Sequence, residues 1–340
     1  MKRLNNVFGL GLVLLLGASV LIPSASGQTL PSFGNVVIVL GENTDYSTSY
    51  NSTNMPYLTS LANAYGLGIN YYSDTHPSIG NYLNLASGYI LTDDDSQTPQ
   101  SFPVSKNNIA LEVQKAGKTW KDYVENLPSA KNCGGVNSGA YYVRHDPLEY
   151  MTKLKKDKSN FVCFSQFAED LANRALPTLS WIVPNGCDDA HDCPIGTFDA
   201  WLKSEIGPLV DSSYFQPGGT GLLIIVFDEN ASDGNPDCDT ITEGKGCGGQ
   251  VELVVVSPFS KPGYQSKGGD TRNYNNSYDE GDILRLMAQG LGLPTSKLGW
   301  AAKGLPMADF FSTTNDSGRS CCNSAMRRSL LCAYPSAVLM

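Results

Sequence analysis

Histidine is scarce in this chain, with three in 340 residues, at positions 76, 145 and 191. Positive charge is also in deficit: 24 Lys and Arg stand against 33 Asp and Glu, for a formal net charge of -9. Nucleic acids are bound by clustered Lys and Arg, so a nucleic-acid partner is excluded. Only 17% of residues are charged, whereas 41% are hydrophobic and 10% aromatic, which excludes a disordered chain or a coiled coil. Also absent are G-x-S-x-G, G-x-x-x-x-G-K-[ST], H-E-x-x-H and a G-x-G-x-x-G after a strand. The usual lipase, P-loop, zincin and Rossmann readings go with them.

One long apolar run is present, at the start. Lys2 and Arg3 precede an uncharged stretch from Phe8 to Ile22, followed by the small-residue segment Ser24, Ala25, Ser26 and Gly27. This is the layout of a signal peptide over residues 1–27, and the run is shorter than the roughly 20 residues that span a bilayer. The expectation is a secreted protein, extracellular or periplasmic, with no stable membrane insertion after cleavage. All nine cysteines follow that segment, at 133, 163, 187, 193, 238, 247, 321, 322 and 332. In an oxidising compartment disulfides are their default fate. Cys187 with Cys193 and Cys238 with Cys247 would close short loops, and Cys133 with Cys163 is a third candidate pair. The odd cysteine falls in the tail with Cys321, Cys322 and Cys332.

Four short apolar runs rich in β-branched residues, 36–40, 179–183, 222–227 and 251–256, read as strands buried on both faces. Helical periodicity over 55–65, 109–116 and 283–290 alternates with them. The fold class predicted is α/β, a mostly parallel central sheet with helices on both faces, forming a single catalytic domain over 28–312. The segments 92–107 and 229–250 read as surface loops, with Asp93-Asp94-Asp95 solvated. Residues 313–340 read as a Cys-containing C-terminal tail. Nothing in the chain specifies an oligomeric state.

In α/β sheets functional groups collect beyond the carboxyl ends of the strands. The run 36–40 leads into Gly41, Glu42 and Asn43, and 222–227 leads into Asp228, Glu229 and Asn230. The run 179–183 leads into Asn185 and then Asp188, Asp189, His191 and Asp192. Hard cations take clustered oxygen ligands, which makes Glu42, Asn43, Asp228 and Glu229 candidates for a divalent metal site. Carboxylates so placed repel one another without a cation, although acids after strands also serve as loop residues and helix caps. Oxygen ligands suit Ca, Mg or Mn, and histidines admit Zn, so the identity of the metal stays open. Ser78 sits in the turn from Asp74 to Tyr82, ahead of the apolar helical residues Leu83 and Leu85. It is placed either as a nucleophile or as a helix N-cap, and a helix N-terminus favours an anion in both cases. Cys187, His191 and Cys193 have zinc-ligand chemistry, but the oxidising context favours a disulfide.

The ordered set Glu42-Asn43, His76-Pro77-Ser78-x-x-Asn81-Tyr82, Arg144-His145-Asp146-Pro147, Pro184-Asn185 through Asp189-x-His191-Asp192, Asp199-x-Trp201-Leu202, Asp228-Glu229 and Ser257-Pro258 resembles a known family. It is the bacterial and fungal phosphoesterase family of acid phosphatases and phospholipases C, within the alkaline-phosphatase superfamily. The resemblance covers most of residues 35–295. It implies that Glu42, Asn43, Asp228 and Glu229 coordinate the metal and that Ser78 attacks phosphorus, giving a phosphoseryl intermediate. Asn81, His145 and His191 are then the candidate phosphate-binding residues. Asp189 orients His191, and His76 or His191 protonates the leaving alkoxide.

Two positions depart from the family pattern. Glu280 stands where many members carry histidine, which makes Glu280 or Asp282 an alternative metal ligand, and Gly80 stands where proline is frequent. The function implied is hydrolysis of a small phosphate-ester substrate, acid-phosphatase-like. The alternatives are a phospholipase C or other phosphodiesterase, and, from another class, a non-catalytic metal-stabilised binding scaffold.

Overall fold

The structure, a computed structural model, describes residues 30–129, 133, 139–231, 247–268 and 277–312. The expected signal peptide, the tail 313–340 and Cys238 lie outside the described residues. In chain order the strands are β1 (Asn35–Gly41), β2 (Gly66–Gly68), β3 (Tyr72–Ser73), β4 (Trp120–Val124), β5 (Phe161–Cys163), β6 (Leu179–Val183), β7 (Gly221–Phe227), β8 (Gly249–Gln250), β9 (Leu253–Val256) and β10 (Tyr264–Ser266). The helices are α1 (Tyr46–Ser49), α2 (Pro56–Ala64), α3 (Ser78–Ser87), α4 (Ile109–Lys115), α5 (Pro147–Tyr150), α6 (Ser165–Ala172), α7 (Ile195–Trp201), α8 (Gly207–Val210) and α9 (Glu280–Gly290).

The uninterrupted apolar runs become the middle of the sheet. Every residue of β6, β7 and β9 is buried, as are Val36–Gly41 of β1, so both faces of these strands are covered. Eight strands form one sheet in the order β10-β2-β9-β7-β1-β6-β4-β5. β1 pairs in parallel with both β6 and β7, with Ile38 opposite Trp181 on one side and Ile224 on the other. The antiparallel pairings are those of β9, with β7 and β2. The sheet is mostly parallel, as the apolar runs predict. The run 251–256 forms a strand only from Leu253, as β9 of the main sheet, while β8, just ahead of the run, pairs with β3 in a separate two-stranded sheet.

Local chemistry sets the helix ends. Pro56 opens α2, and the buried Asp199 of α7 accepts the Tyr57 and Leu58 N–H groups at 3.0 and 2.8 Å. α9 starts in a capping box between Asp279 and Asp282. Cys133–Cys163 and Cys187–Cys193 are disulfides, and Cys247 is disulfide-bonded. Among the described residues, no helix is long and apolar enough to cross a membrane.

Candidate active site

β6, β1 and β7 are adjacent and parallel, so their carboxyl ends open on the same edge of the sheet. Backbone pairing continues past the strands. Glu42 N–H donates to the Asp189 carbonyl at 2.8 Å, Asp228 N–H to Gly41 at 3.0 Å, and Thr44 N–H to Glu229 at 3.0 Å. The acids that follow three separate runs are thereby fixed side by side. Asn43 turns through the left-handed region at φ 49°, which asparagine tolerates, and its Nδ2 donates to Glu42 Oε2 at 3.2 Å. Ala190, at φ 80°, has no amide side chain to compensate, and this strained residue turns the chain between Asp189 and His191.

Ser78 arrives on α3, after a cis His76–Pro77 bond. It is the first helical residue rather than the cap. Pro77 takes the cap position, and Asp95 Oδ1 accepts the Ile79 N–H at 3.0 Å. The Ser78 hydroxyl is left to face the acids, donating to Glu42 Oε2 at 3.1 Å with Glu229 Oε1 at 3.4 Å. Asn81 holds the turn in shape: its Oδ1 accepts Thr75 N–H at 3.0 Å and its Nδ2 donates to Thr75 O at 2.8 Å, with Glu229 Oε2 at 3.3 Å. A Cβ on Gly80 would lie 2.5 Å from Thr75 Cγ2, so close packing against this turn explains the glycine.

Glu42, Asp189, Asp228 and Glu229 are all buried. Burial, reinforced by Asp228 and Asp189, pushes Glu42 well above the usual carboxylate range. Burial and then Glu229 do the same to Asp228, burial lifts Asp189 to about 7, and Glu229 is raised by burial against the pull of His76. His145, 2% exposed, joins this group. Its Nδ1 lies 3.0 Å from Asp189 Oδ2 and its Nε2 3.4 Å from Glu42 Oε1, and Tyr82 stacks on its ring while donating to Glu42 Oε1 at 2.5 Å. Burial, then Arg144, hold His145 well below its ordinary value, which keeps it a neutral imidazole.

This donor set fits a divalent cation. Ligand atoms of Glu42, His145 and Asp189 all lie within 4.8 Å of one another. Asp228 Oδ2 and His145 Nε2 are buried without a hydrogen-bond partner. The sequence places His145 with the phosphate donors, whereas the structure seats it and Asp189 among the carboxylates. The strand-end signal identified Asp189, but nothing around Arg144-His145 in the sequence marks that histidine as a neighbour of the carboxylates.

The remaining candidates lie around this core. His76 is held between Glu229 Oε2 at 3.1 Å and Asn230 Oδ1 at 3.0 Å. His191 is oriented by Asp192, at 2.8 Å from Nδ1, and by Arg144 Nη2, at 3.0 Å from Nε2. Asp189 meets only the backbone N–H of His191, so the expected orienting role belongs to Asp192 and Arg144. Cys187 and Cys193 are joined to each other and offer no thiolate to His191. Glu280 accepts the Asp74 N–H at 3.2 Å, and Asp282 is occupied in capping α9. Asp95 is not the solvated loop residue its neighbours suggest, because both of its carboxylate oxygens face the site rim.

The Phosphoesterase family matches this chain over residues 42–294, a span that takes in every residue of the site. The chain belongs to the phosphoesterase family. It is a hydrolase of phosphoric esters, and the family implies a small phosphate-ester substrate. A phosphatidylinositol-3-phosphatase of Mycobacterium tuberculosis is 27% identical over 289 residues, covering 84% of this chain and 85% of its own. An acid phosphatase of Aspergillus fumigatus is 33% identical over 201 residues, 56% of this chain and 43% of its own. The chain thus spans about half the length of the acid phosphatases it matches. Among solved structures, the lipoteichoic acid synthase LtaP of Listeria monocytogenes superimposes with a TM-score of 0.54 at 12% identity, covering 84% of this chain and 80% of that one. A protein of the alkaline phosphatase superfamily from Vibrio parahaemolyticus gives 0.50 at 11% identity, covering 78% and 68%. At such identities the likeness is one of fold, and it places this phosphoesterase in the alkaline-phosphatase architecture.

Proposed function

We propose that this phosphoesterase is a secreted, metal-dependent phosphomonoesterase acting through a phosphoserine intermediate at Ser78. One observation carries the reading: a buried serine hydroxyl at the N-terminus of α3 stands 3.1 Å from Glu42 and 3.4 Å from Glu229, inside a carboxylate group that fits a cation. Glu42, Asn43, Asp228 and Glu229, with His145 oriented by Asp189, are the residues to hold the metal. When bound, a divalent cation supplies positive charge that lowers the pKa of the serine hydroxyl and neutralises phosphoryl charge. Ser78 Oγ attacks phosphorus, the ester oxygen leaves with a proton, and water then hydrolyses the phosphoserine.

His76 is the better acid for the leaving oxygen. Both of its ring nitrogens face acceptors, as in a proton-bearing imidazolium, and the Asn230 amide is oriented by its Nδ2 donation to Asp45 Oδ1 at 3.3 Å. His191 Nε2 instead faces a donor, Arg144, which makes that nitrogen an acceptor. The disulfides support an oxidising, extracytoplasmic setting. The names of the relatives, an acid phosphatase and a phosphatidylinositol-3-phosphatase, favour a monoester over a diester.

The test is phosphate release from p-nitrophenyl phosphate, with chelator, with Ca, Mg, Mn or Zn restored, and in Ser78→Ala. Metal-dependent turnover that vanishes in Ser78→Ala is the expected result, and activity surviving that substitution would overturn the mechanism. Dominant turnover of bis(p-nitrophenyl) phosphate or phosphatidylcholine would select the diesterase reading. No turnover with any metal would select the binding scaffold.

A further inference from the structure

Asp95 belongs to the loop that follows α3 in the chain, and it joins two parts of the site. Its Oδ1 accepts the N–H of Ile79, the residue after Ser78, at 3.0 Å, and its Oδ2 lies 3.3 Å from Arg144 Nε. Arg144 is constrained on two further sides. Its Nη2 faces His191 Nε2 at 3.0 Å, and its guanidinium carbon stands 4.1 Å from the centre of the Tyr142 ring. Its Nε is buried without a hydrogen-bond partner, so Asp95 holds it by charge alone, and the side chain keeps 20% of its surface exposed. A guanidinium fixed in this way and still partly exposed is a preorganised anion donor.

We propose that Asp95 is a positioning residue that fixes Arg144 as the clamp on the substrate's non-bridging phosphoryl oxygens and keeps that clamp in register with the Ser78 turn. The inference rests on the phosphoester reading and adds a determinant of specificity to it. A phosphate monoester presents a dianion and a diester a monoanion, so a fixed cation at this position favours the monoester. The carboxylate carries both functions: its charge holds the guanidinium, and its oxygen acceptor caps α3.

Asp95→Asn separates the two, because an asparagine Oδ1 still accepts the Ile79 N–H while the charge facing Arg144 is lost. The expected result is a rise of about ten- to a hundredfold in KM for p-nitrophenyl phosphate and in the inhibition constant of inorganic phosphate, the range lost when the arginine's own contact to the phosphoryl oxygens is no longer held in place. Arg144→Ala gives the same pattern, Asp95→Glu recovers part of the loss, and kcat/KM for bis(p-nitrophenyl) phosphate falls less than for the monoester. Thermal melting of each variant controls for folding. An active wild type whose Asp95→Asn and Arg144→Ala forms keep the original KM and phosphate inhibition overturns the inference alone, as does a loss confined to kcat. A folded wild type that neither turns over phosphate esters nor binds phosphate overturns the phosphoester reading and this inference together.

Discussion

Asn43 holds Asp228 from a position 185 residues away: its backbone N–H donates to Asp228 Oδ1 at 3.1 Å, while Asp228 Oδ2 is buried with no donor. Burial and Glu229 push this carboxyl well above its ordinary range, so without a cation its charge is a liability. Asp228→Asn keeps an acceptor for Asn43 and replaces the second oxygen with an amide among acids. Without metal, at pH 8, this variant should melt higher than the wild type by about 4–8 °C per kcal/mol gained in a small domain, and less in one of this size. It should lose the metal-induced rise in melting temperature together with phosphatase activity. A metal-free variant that melts below the metal-free wild type contradicts the account.

The His145–Asp189 contact carries a second prediction. A histidine that ligates a metal through one ring nitrogen commonly gives the other N–H to a carboxylate, and losing that carboxylate costs ten- to a hundredfold in metal affinity by order of magnitude. His145 Nδ1 faces Asp189 Oδ2 at 3.0 Å, and its Nε2 points toward Glu42. Asp189→Asn should therefore weaken metal binding by about that factor. Calorimetric titration of Mn or Zn into the metal-free protein would measure it. Unchanged affinity would return His145 to the role of a phosphate donor.

The strands that carry Glu42, Asn43, Asp228 and Glu229 were legible because parallel central strands are apolar on both faces and leave a run without alternation. β4 was not. Its sequence Trp120-Lys121-Asp122-Tyr123-Val124 looks half polar, and Asp122 is nonetheless fully buried, with its carboxyl pushed well up by burial and by Asp146. A buried carboxyl beside another carboxyl has no signature in residue order, because the partner comes from a distant segment. The same limit hid Asp95, since an Asp-Asp-Asp run has the composition of a solvated loop. Asp94 matches that expectation by capping its own turn through Ser96, whereas its neighbour reaches back to α3. The family order singled out Ser78 as the proposed nucleophile, and only the fold shows that Pro77, rather than Ser78, takes the cap position.

Glu252 gives a pH test on a carboxyl outside the candidate site residues. Both of its carboxylate oxygens are buried without a hydrogen-bond partner, and burial lifts its pKa to about 7. The unfolded chain releases this proton near pH 4.5, while the folded chain keeps it up to about pH 7. In that window the native state binds more protons, so stability falls as pH rises through it and then levels off. Glu252→Gln should remove this slope, stabilising the protein at pH 8 by at most about 3 kcal/mol while matching the wild type at pH 4. Urea denaturation at the two pH values is the measurement, and an equal gain at both would show that packing rather than ionisation is responsible.

The two disulfides should divide stability from activity. Cys133–Cys163 has a sequence separation of 30, and Cys187–Cys193 one of 6. By loop-closure entropy the first contributes about 4 kcal/mol and the second about 2 kcal/mol. The short loop, however, contains Asp189, the strained Ala190 and His191, with Asp192 holding the His191 ring. Opening it allows Ala190 to relax from φ 80° and moves the residues on either side together. Paired serine substitutions at 187 and 193 should therefore cost more in kcat/KM than in melting temperature, and those at 133 and 163 the reverse. Measuring both quantities on both variants decides the matter: if the 187/193 variant loses stability without losing turnover, the positions of Asp189 and His191 are set by the Glu42 and Arg144 contacts alone, without the brace.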